Sequence, residues 1–234
     1  MKYIICTVDT TYSEPLTRLI ESMLINGIEE KDILLSVQSK YHIHPIVKKH
    51  WIQVGNKILS FYGVYCYKEL YEYSFFNSCK TLLDSGLISS NDSYFMLHDT
   101  CIILENHKTL INGIMTMDFF GQVDMIFADQ LGRHNIGIYN YKSILYGHNI
   151  WKNISKIDKQ LAIDIEHNRP GTEQYNIKTL RQLKQYRFNS GANDVATTYA
   201  YNYDNLRIVS RLYFFGIDKF FYHVDPNRGH PNKP

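Results

Sequence analysis

Two patterns of apolar and polar positions alternate over the first hundred residues. Short continuous apolar runs, such as residues 2–8, are typical of buried strands, whereas apolar residues that recur every three or four positions, as in residues 14–26, are typical of helices. The predicted strands are residues 2–8, 32–38, 57–64 and 92–97, and the predicted helices are residues 14–26, 45–54 and 69–83. This alternation predicts an α/β fold built on a mostly parallel sheet.

The pattern is less regular in the second half of the chain. The predicted strands there are residues 101–104, 123–128, 137–139 and 220–225, and the predicted helices are residues 106–117 and 155–167. Tyr199, Tyr201 and Tyr203 also alternate as on one face of a strand. Because there is no internal repeat, low-complexity tract or linker, we expect residues 1–234 to form a single domain.

Composition and charge restrict the classes of protein to which this chain could belong. The chain has 234 residues, of which 44% are hydrophobic and 21% are charged, as in ordinary globular proteins. Twenty-five basic and 23 acidic residues give a formal charge of +2. Since nucleic-acid-binding proteins usually carry a strongly basic surface, we expect no nucleic-acid partner.

Cysteines and the longest apolar segments bear on the location of the protein. The four cysteines include no Cys-x-x-Cys pair, and three lie in apolar segments, which favours reduced thiols and a cytoplasmic location. The first apolar run is too short for a signal peptide, and no segment approaches the roughly 20 apolar residues of a membrane span. Abundant Ile, Asn and Tyr are typical of an AT-rich genome, and a virus-encoded protein acting in the host cytoplasm fits that bias.

Polar side chains follow three of the predicted strands at the point where each strand ends. Thr7 and Asp9 end the first strand, Gln38 ends the second, and His98 and Asp99 end the fourth. Ligands bind at the carboxyl ends of strands in open α/β sheets. An acidic residue there suits Mg²⁺ or Mn²⁺, which need only one or two protein ligands when substrate phosphates complete the shell.

This order of elements, with residues 94–104 reading YFMLHDTCIIL, resembles the nucleotide-sugar glycosyltransferases of the GT-A fold, in which an Asp-x-Asp-type motif lies between two short apolar strands. The resemblance implies a GT-A-like, Rossmann-type mixed sheet flanked by helices. Residues 1–104 would bind the sugar nucleotide and residues 105–234 the acceptor, a saccharide or glycoconjugate. The motif is reduced to Asp99, because Leu97 stands in place of the first acid or Cys101 in place of the last.

The resemblance also implies roles for individual residues. Asp99 would bind Mn²⁺ or Mg²⁺, and His223 matches a C-terminal histidine that completes the metal shell in some members. The predicted sugar-nucleotide contacts are Thr7, Asp9, Tyr12, Gln38, Asn77, Lys80, His98 and Asp99. The predicted acceptor contacts are Arg133, His134 and Tyr139. Turn formation, surface solvation and core packing are the alternative explanations of these residues.

An inverting transferase needs a carboxylate on the acceptor side, to take the proton from the attacking hydroxyl. The candidates downstream of the motif are Asp129, Asp158, Asp164 and Glu166. On the predicted helix Asp164 lies about 60° from the centre of the apolar stripe. Glu166 lies at the end of that helix, beside a turn. We predict that Glu166 and Asp164 form the catalytic pair, with a solvated helix face as the alternative.

Two other functions remain open. A non-catalytic module with the same fold would bind a carbohydrate or a nucleotide after loss of the second motif acid. A nucleotidyltransferase is disfavoured, because no glycine-rich basic loop follows Val8. The sequence also lacks the glycine-rich dinucleotide, P-loop and serine-hydrolase motifs.

Overall fold

The structure, a computed structural model, describes the larger part of the chain. The ranges are residues 1–9, 14–42, 44–67, 74–103, 105, 107–108, 125–127, 137–152, 160–161, 164, 170–171, 182–189, 195–203, 206–209 and 221–223. For residues 67, 125–127, 150 and the strands after residue 181 the description is limited to the backbone.

Four parallel strands form the centre of the sheet. They are β1 (Lys2–Val8), β2 (Ile33–Ser39), β4 (Lys57–Tyr67) and β5 (Tyr94–His98), and they lie side by side in the order β4-β2-β1-β5. Helix α1 (Glu14–Ile25) connects β1 to β2, and helix α2 (Ser74–Asp84) lies between β4 and β5. The predicted strands and these two helices are therefore confirmed, as is the mixed α/β class.

The prediction of a helix over residues 45–54 is wrong, because this segment is strand β3 (Ile46–Val54). It pairs antiparallel with β4, with Val54 opposite Lys57, and Gly55 and Asn56 form a two-residue turn between them. Gly55 has a φ of 57°, a backbone conformation that glycine adopts without strain. Glycine followed by asparagine is a hairpin signal, and here it overrides the helix-like spacing of the apolar residues.

The second half of the chain extends the sheet. Its elements are β6 (Cys101–Ile103), β7 (Met125–Phe127), β8 (Gly137–Tyr139), α3 (Tyr141–Trp151), β9 (Gln182–Asn189), β10 (Val195–Tyr203), β11 (Leu206–Val209) and β12 (Phe221–His223). Ten strands are hydrogen-bonded in the order β3-β4-β2-β1-β5-β8-β7-β11-β10-β9, and β12 pairs separately with β6. Strands predicted near residues 101, 125, 137 and 221 are thus confirmed. Most of the predicted helices 106–117 and 155–167 lies outside the described residues.

Helix α3 was not predicted from the sequence. Asn140 caps it, since its side-chain oxygen accepts from the N–H of Ser143 at 3.0 Å. The helix packs against α2, and Gly147 makes that contact close, because a Cβ at this position would lie 2.6 Å from Cγ of Phe76. None of the described helices has the length and apolar character to cross a bilayer.

The core consists of one apolar layer on each face of the sheet. Ile5 and Leu35 face α1 and pack with Leu19. Ile4 and Leu34, their neighbours along the same strands, face α2 and α3. Because successive strand residues point to opposite faces, the continuous apolar runs seen in the sequence correspond to strands covered on both sides.

Candidate functional site

The order of the parallel strands places a topological switch point between β1 and β5, the position at which open α/β sheets form a binding crevice. The chain moves from β1 through α1 to β2 in one direction and from β4 through α2 to β5 in the other, so the two helices lie on opposite faces of the sheet. Ligands of open α/β sheets bind outside the carboxyl ends of the strands at such a switch point. Thr7 lies near the end of β1 and His98 ends β5, with Asp99 next in the chain. The predicted residues of these two strands therefore flank the switch point.

A hydrogen bond between two side chains spans the switch point, from β1 to the residue that follows β5. The hydroxyl of Thr7 donates to Oδ2 of Asp99 at 2.7 Å. The backbone N–H of Asp99 donates to the carbonyl oxygen of Cys6 at 3.1 Å, which continues the pairing of β1 with β5 by one residue. Thr7 is 5% exposed and Asp99 is half-buried. The carboxylate is thus held in one orientation by both its own backbone and its neighbour.

The surroundings of Asp99 shift the pKa of its carboxyl group. Burial raises the pKa of its carboxyl group, because the charged form loses water. The hydrogen bond from Thr7, the nearby His98 and the backbone N–H groups of Thr100 and Asp99 lower the same pKa by favouring the carboxylate. On balance the pKa of Asp99 is raised, because the effect of burial exceeds that of the groups that favour the carboxylate.

A second carboxylate lies at the other side of β1. The N–H of Asp9 donates to the carbonyl oxygen of Gln38 at 2.8 Å, and its Oδ2 accepts from the Ser39 hydroxyl at 3.0 Å. Asp9 is exposed, whereas Gln38 is 9% and Ser39 1% exposed. The structure therefore brings the predicted contacts Asp9 and Gln38 together at the ends of β1 and β2.

Asp99 offers a divalent cation one carboxylate ligand. A carboxylate is a hard oxygen ligand of the kind that Mg²⁺ and Mn²⁺ take, and these ions often combine one or two carboxylates with substrate phosphates. In the part of the chain that the structure describes, no three His, Cys, Asp or Glu side chains are grouped to hold a metal ion. Among the described residues Asp99 therefore belongs to no group of three such ligands.

His223, the other predicted metal ligand, lies in β12 with its backbone paired to Cys101. Cys101 begins β6 only two residues after Asp99. The strand register therefore brings the backbone of His223 to the neighbourhood of the motif. The side chain of His223 is outside the described residues.

Asn77 contacts a neighbouring helix, and Lys80 contacts a residue of its own helix. Oδ1 of Asn77 is hydrogen-bonded to Nδ1 of His148 on α3 at 3.0 Å, and the ammonium of Lys80 forms an ion pair with Asp84 one turn along α2. Burial, together with Lys80 and Lys152, lowers the pKa of His148, whereas Asp84 acts in the opposite direction. The contact of Asn77 thus connects α2 to α3, the ion pair of Lys80 lies within α2, and neither involves Thr7 or Asp99.

Tyr139 does not fit its predicted role as an acceptor contact. It is 1% exposed, and its ring lies 5.0 Å from that of Phe75 and 5.6 Å from that of Phe76. The ring is used for packing between β8 and α2, so no face remains for a saccharide.

The remaining predicted residues are described in part or not at all. Asp164 is half-buried and accepts a hydrogen bond from Nε2 of Gln160 at 2.7 Å. The positions outside the described residues are Tyr12, Arg133, His134 and Glu166. Their roles stay predictions.

The sequence analysis missed a polar cluster at the carboxyl end of β4. The hydroxyl of Tyr65 is hydrogen-bonded to Nδ1 of His50, and the ammonium of Lys48 lies 3.8 Å from the centre of the Tyr65 ring. Burial raises the pKa of Tyr65 to about 12 and lowers that of His50, and the Asp9 carboxylate acts to raise both. Recognition of the Gly55 turn would have predicted this cluster, because it pairs β3 with β4.

Comparison with known proteins identifies no family for this chain. No protein-family model and no curated protein matches the sequence.

Proposed function

We propose that the chain is a glycosyltransferase of GT-A type that transfers a sugar from a nucleoside diphosphate sugar to a saccharide or glycoconjugate. The observation that supports this most is the hydrogen bond between Thr7 and Asp99. It fixes a partly dehydrated carboxylate at the switch point, where α/β sheets bind nucleotides. A diphosphate with its cation is the ligand that such a carboxylate suits best.

Each described residue of the site has a defined task in this proposal. Asp99 holds a divalent cation at one point, with His223 as a second ligand, and Thr7 keeps the carboxylate of Asp99 in position. Asp9 and Gln38 bind the nucleoside beside the end of β2. A cation bound there supplies Lewis-acid stabilisation of the charge on the departing nucleoside diphosphate.

The acceptor side completes the reaction. Asp164 or Glu166 takes the proton from the acceptor hydroxyl as its oxygen forms a bond to the anomeric carbon and the bond from that carbon to the diphosphate breaks. Arg133 and His134 bind the acceptor. Because Tyr139 is buried in the core, the acceptor site in this proposal is formed by other residues after position 104.

A non-catalytic module that binds a carbohydrate or nucleotide is the second candidate. One observation favours it: the described residues provide no group of three potential metal ligands. A protein that had lost the reaction would retain the switch-point crevice and bind the sugar nucleotide without a metal requirement.

A thermal-stability assay with a panel of nucleoside diphosphate sugars, each with and without Mn²⁺, tests the proposal. A ligand present at 100 times its Kd and specific to the folded state adds about 2.7 kcal/mol to stability. We expect one sugar nucleotide to stabilise the protein only with Mn²⁺, and this effect to disappear in Asp99→Asn. Glu21→Gln, which changes an exposed acid on α1, is the matched control and keeps the full effect.

Release of the nucleoside diphosphate then separates the two candidates. The transferase releases it in the presence of Mn²⁺, faster with a suitable acceptor. Binding that does not depend on Mn²⁺ or on Asp99, without any release, would contradict the transferase and support the binding module. No stabilisation by any sugar nucleotide would contradict the transferase and a nucleotide-binding module.

A further inference from the structure

The hairpin of β3 and β4 has one face that the described helices leave uncovered at its outer end. The strand register places six side chains on this face, and we call them the hairpin face: Lys49, Trp51, Gln53, Ile58, Ser60 and Tyr62. Trp51 is 65% exposed, Ile58 70% and Tyr62 43%. The opposite face of the same hairpin packs on the core, where Ile52 is 2% and Phe61 1% exposed.

Two aromatic rings and an aliphatic side chain lie next to one another on this surface. Trp51 is opposite Ser60 and Lys49 is opposite Tyr62, so Trp51 and Tyr62 are diagonal neighbours across the two strands. The ammonium of Lys49 lies 5.6 Å from the centre of the Tyr62 ring. Large apolar side chains grouped on an otherwise polar surface mark an interaction site.

Positive charge is concentrated in the same part of the chain. Residues 40–67 contain four lysines and no Asp or Glu, whereas the rest of the sequence contains 21 basic and 23 acidic residues. Lys40, Lys48, Lys49 and Lys57 are all exposed. Residues 40–67 therefore form a locally positive segment of a near-neutral chain, and an anionic surface complements it.

The chemistry of the hairpin face selects among anionic surfaces. A second copy of the chain would present the same positively charged segment, residues 40–67, and like charges repel. A saccharide or nucleic-acid strand could stack on Trp51, but neither gains from an aliphatic side chain as exposed as Ile58. Trp, Tyr and aliphatic side chains flanked by lysines are the combination that enters the interface of an anionic bilayer.

We propose that the hairpin face docks the protein on the surface of an anionic membrane. Trp51, Tyr62 and Ile58 enter the headgroup region, and Lys49, on the same face, contacts the lipid phosphates and carboxylates. The docking is peripheral and does not depend on the transferase activity. It leaves the switch point at the carboxyl ends of β1 and β5 unaltered.

Vesicle sedimentation with the full chain tests this docking directly. We expect the protein to bind vesicles of phosphatidylcholine and phosphatidylserine, and not vesicles of phosphatidylcholine alone. Each lysine near an anionic surface strengthens binding about fivefold, so K49Q should weaken it about fivefold. Raising the salt concentration should weaken binding of the wild type more than that of K49Q.

Tryptophan fluorescence reports the orientation. The chain has two tryptophans, and Trp151 is fully buried whereas Trp51 is exposed. Binding should shift the emission of Trp51 to shorter wavelength and protect it from acrylamide, and both changes should be absent in W51F. W51S/I58S should weaken vesicle binding by about tenfold or more, because the burial of apolar side chains is lost.

I25S and K152Q are the matched controls, since Ile25 on α1 and Lys152 after α3 are exposed and are not part of the hairpin face. Both should bind as the wild type does, and circular dichroism should show the same fold in every variant. Equal binding to neutral and anionic vesicles, binding unaffected by W51S/I58S, or no vesicle binding at all would overturn the proposal. The last result would point instead to an acidic protein partner for this face.

Discussion

Replacement of Thr7 by valine removes the hydroxyl that holds Asp99 and changes little else. Valine is nearly the same size as threonine and suits a strand, and Thr7 is 5% exposed, so no cavity forms. The carboxylate of Asp99 then keeps its burial but loses the hydrogen bond that Thr7 donates at 2.7 Å.

Hydrogen bonds to charged groups contribute about 1.5–3 kcal/mol, so we expect Thr7→Val to lower the free energy of unfolding at pH 7 by about 2 kcal/mol. In a chain of this length that corresponds to a fall in Tm of about 4–8 °C. Thr7→Ser keeps the donor and is the matched control, with a smaller loss that comes only from the missing methyl group.

The difference between the two proteins should depend on pH. Asp99 has a raised pKa in the folded state, so it binds its proton at a higher pH there than in the unfolded chain, and its contribution to stability improves as pH falls through that range. In the wild type the hydrogen bond from the Thr7 hydroxyl lowers the pKa of Asp99. Its loss in Thr7→Val therefore raises that pKa further. Thr7→Val should therefore regain part of its deficit in acid, where the bond joins two neutral groups and contributes about 1 kcal/mol.

Urea unfolding of wild type, Thr7→Val and Thr7→Ser between pH 7 and pH 4 measures these differences. Effects of other titrating groups are common to all three proteins and cancel. A Thr7→Val protein as stable as Thr7→Ser at pH 7, or a deficit that does not change with pH, would refute the idea that the hydroxyl stabilises a charged Asp99.

Two further predictions concern the packing around the site. Gly147→Ala should lose about 1–3 kcal/mol in urea unfolding, since its Cβ would lie 2.6 Å from Cγ of Phe76 and closer still to two other ring carbons, and Phe76 is 1% exposed. Helix propensity alone predicts a gain of about 1 kcal/mol, so a stabilised variant would contradict the contact of α3 with α2. Burial lowers the pKa of His50, so the unfolded chain takes up a proton first as pH falls below about 6.5, and stability declines there. His50→Gln should flatten the dependence of unfolding free energy on pH between 7 and 5, and an unchanged slope would show that His50 is not buried as described.

Local patterns in the sequence predict the residues at the strand ends but not their partners. Thr7 and Asp99 could be identified because each follows an apolar run and stands where a parallel strand ends. Their hydrogen bond joins residues 92 positions apart. This bond forms because β1 and β5 are neighbours in the sheet. The order of strands is a tertiary property that the periodicity of apolar residues along the chain does not specify.

The same limit explains the errors. Residues 46–54 carry apolar side chains at spacings that fit a helix as well as a strand, and only the Gly55–Asn56 turn distinguishes the two. For Tyr139, an aromatic side chain suits a sugar-binding groove and a core equally well. Its burial between Phe75 and Phe76 follows from the packing of β8 on α2, which no local pattern specifies.

Electron paramagnetic resonance of Mn²⁺, titrated with protein in the presence of a nucleoside diphosphate, tests most directly whether Asp99 binds the cation together with the diphosphate. The account predicts that the wild type immobilises Mn²⁺ only when the diphosphate is present, and that Asp99→Asn leaves the spectrum that of the free Mn²⁺–diphosphate complex. Equal immobilisation by the wild type and Asp99→Asn, or none by either, would contradict it.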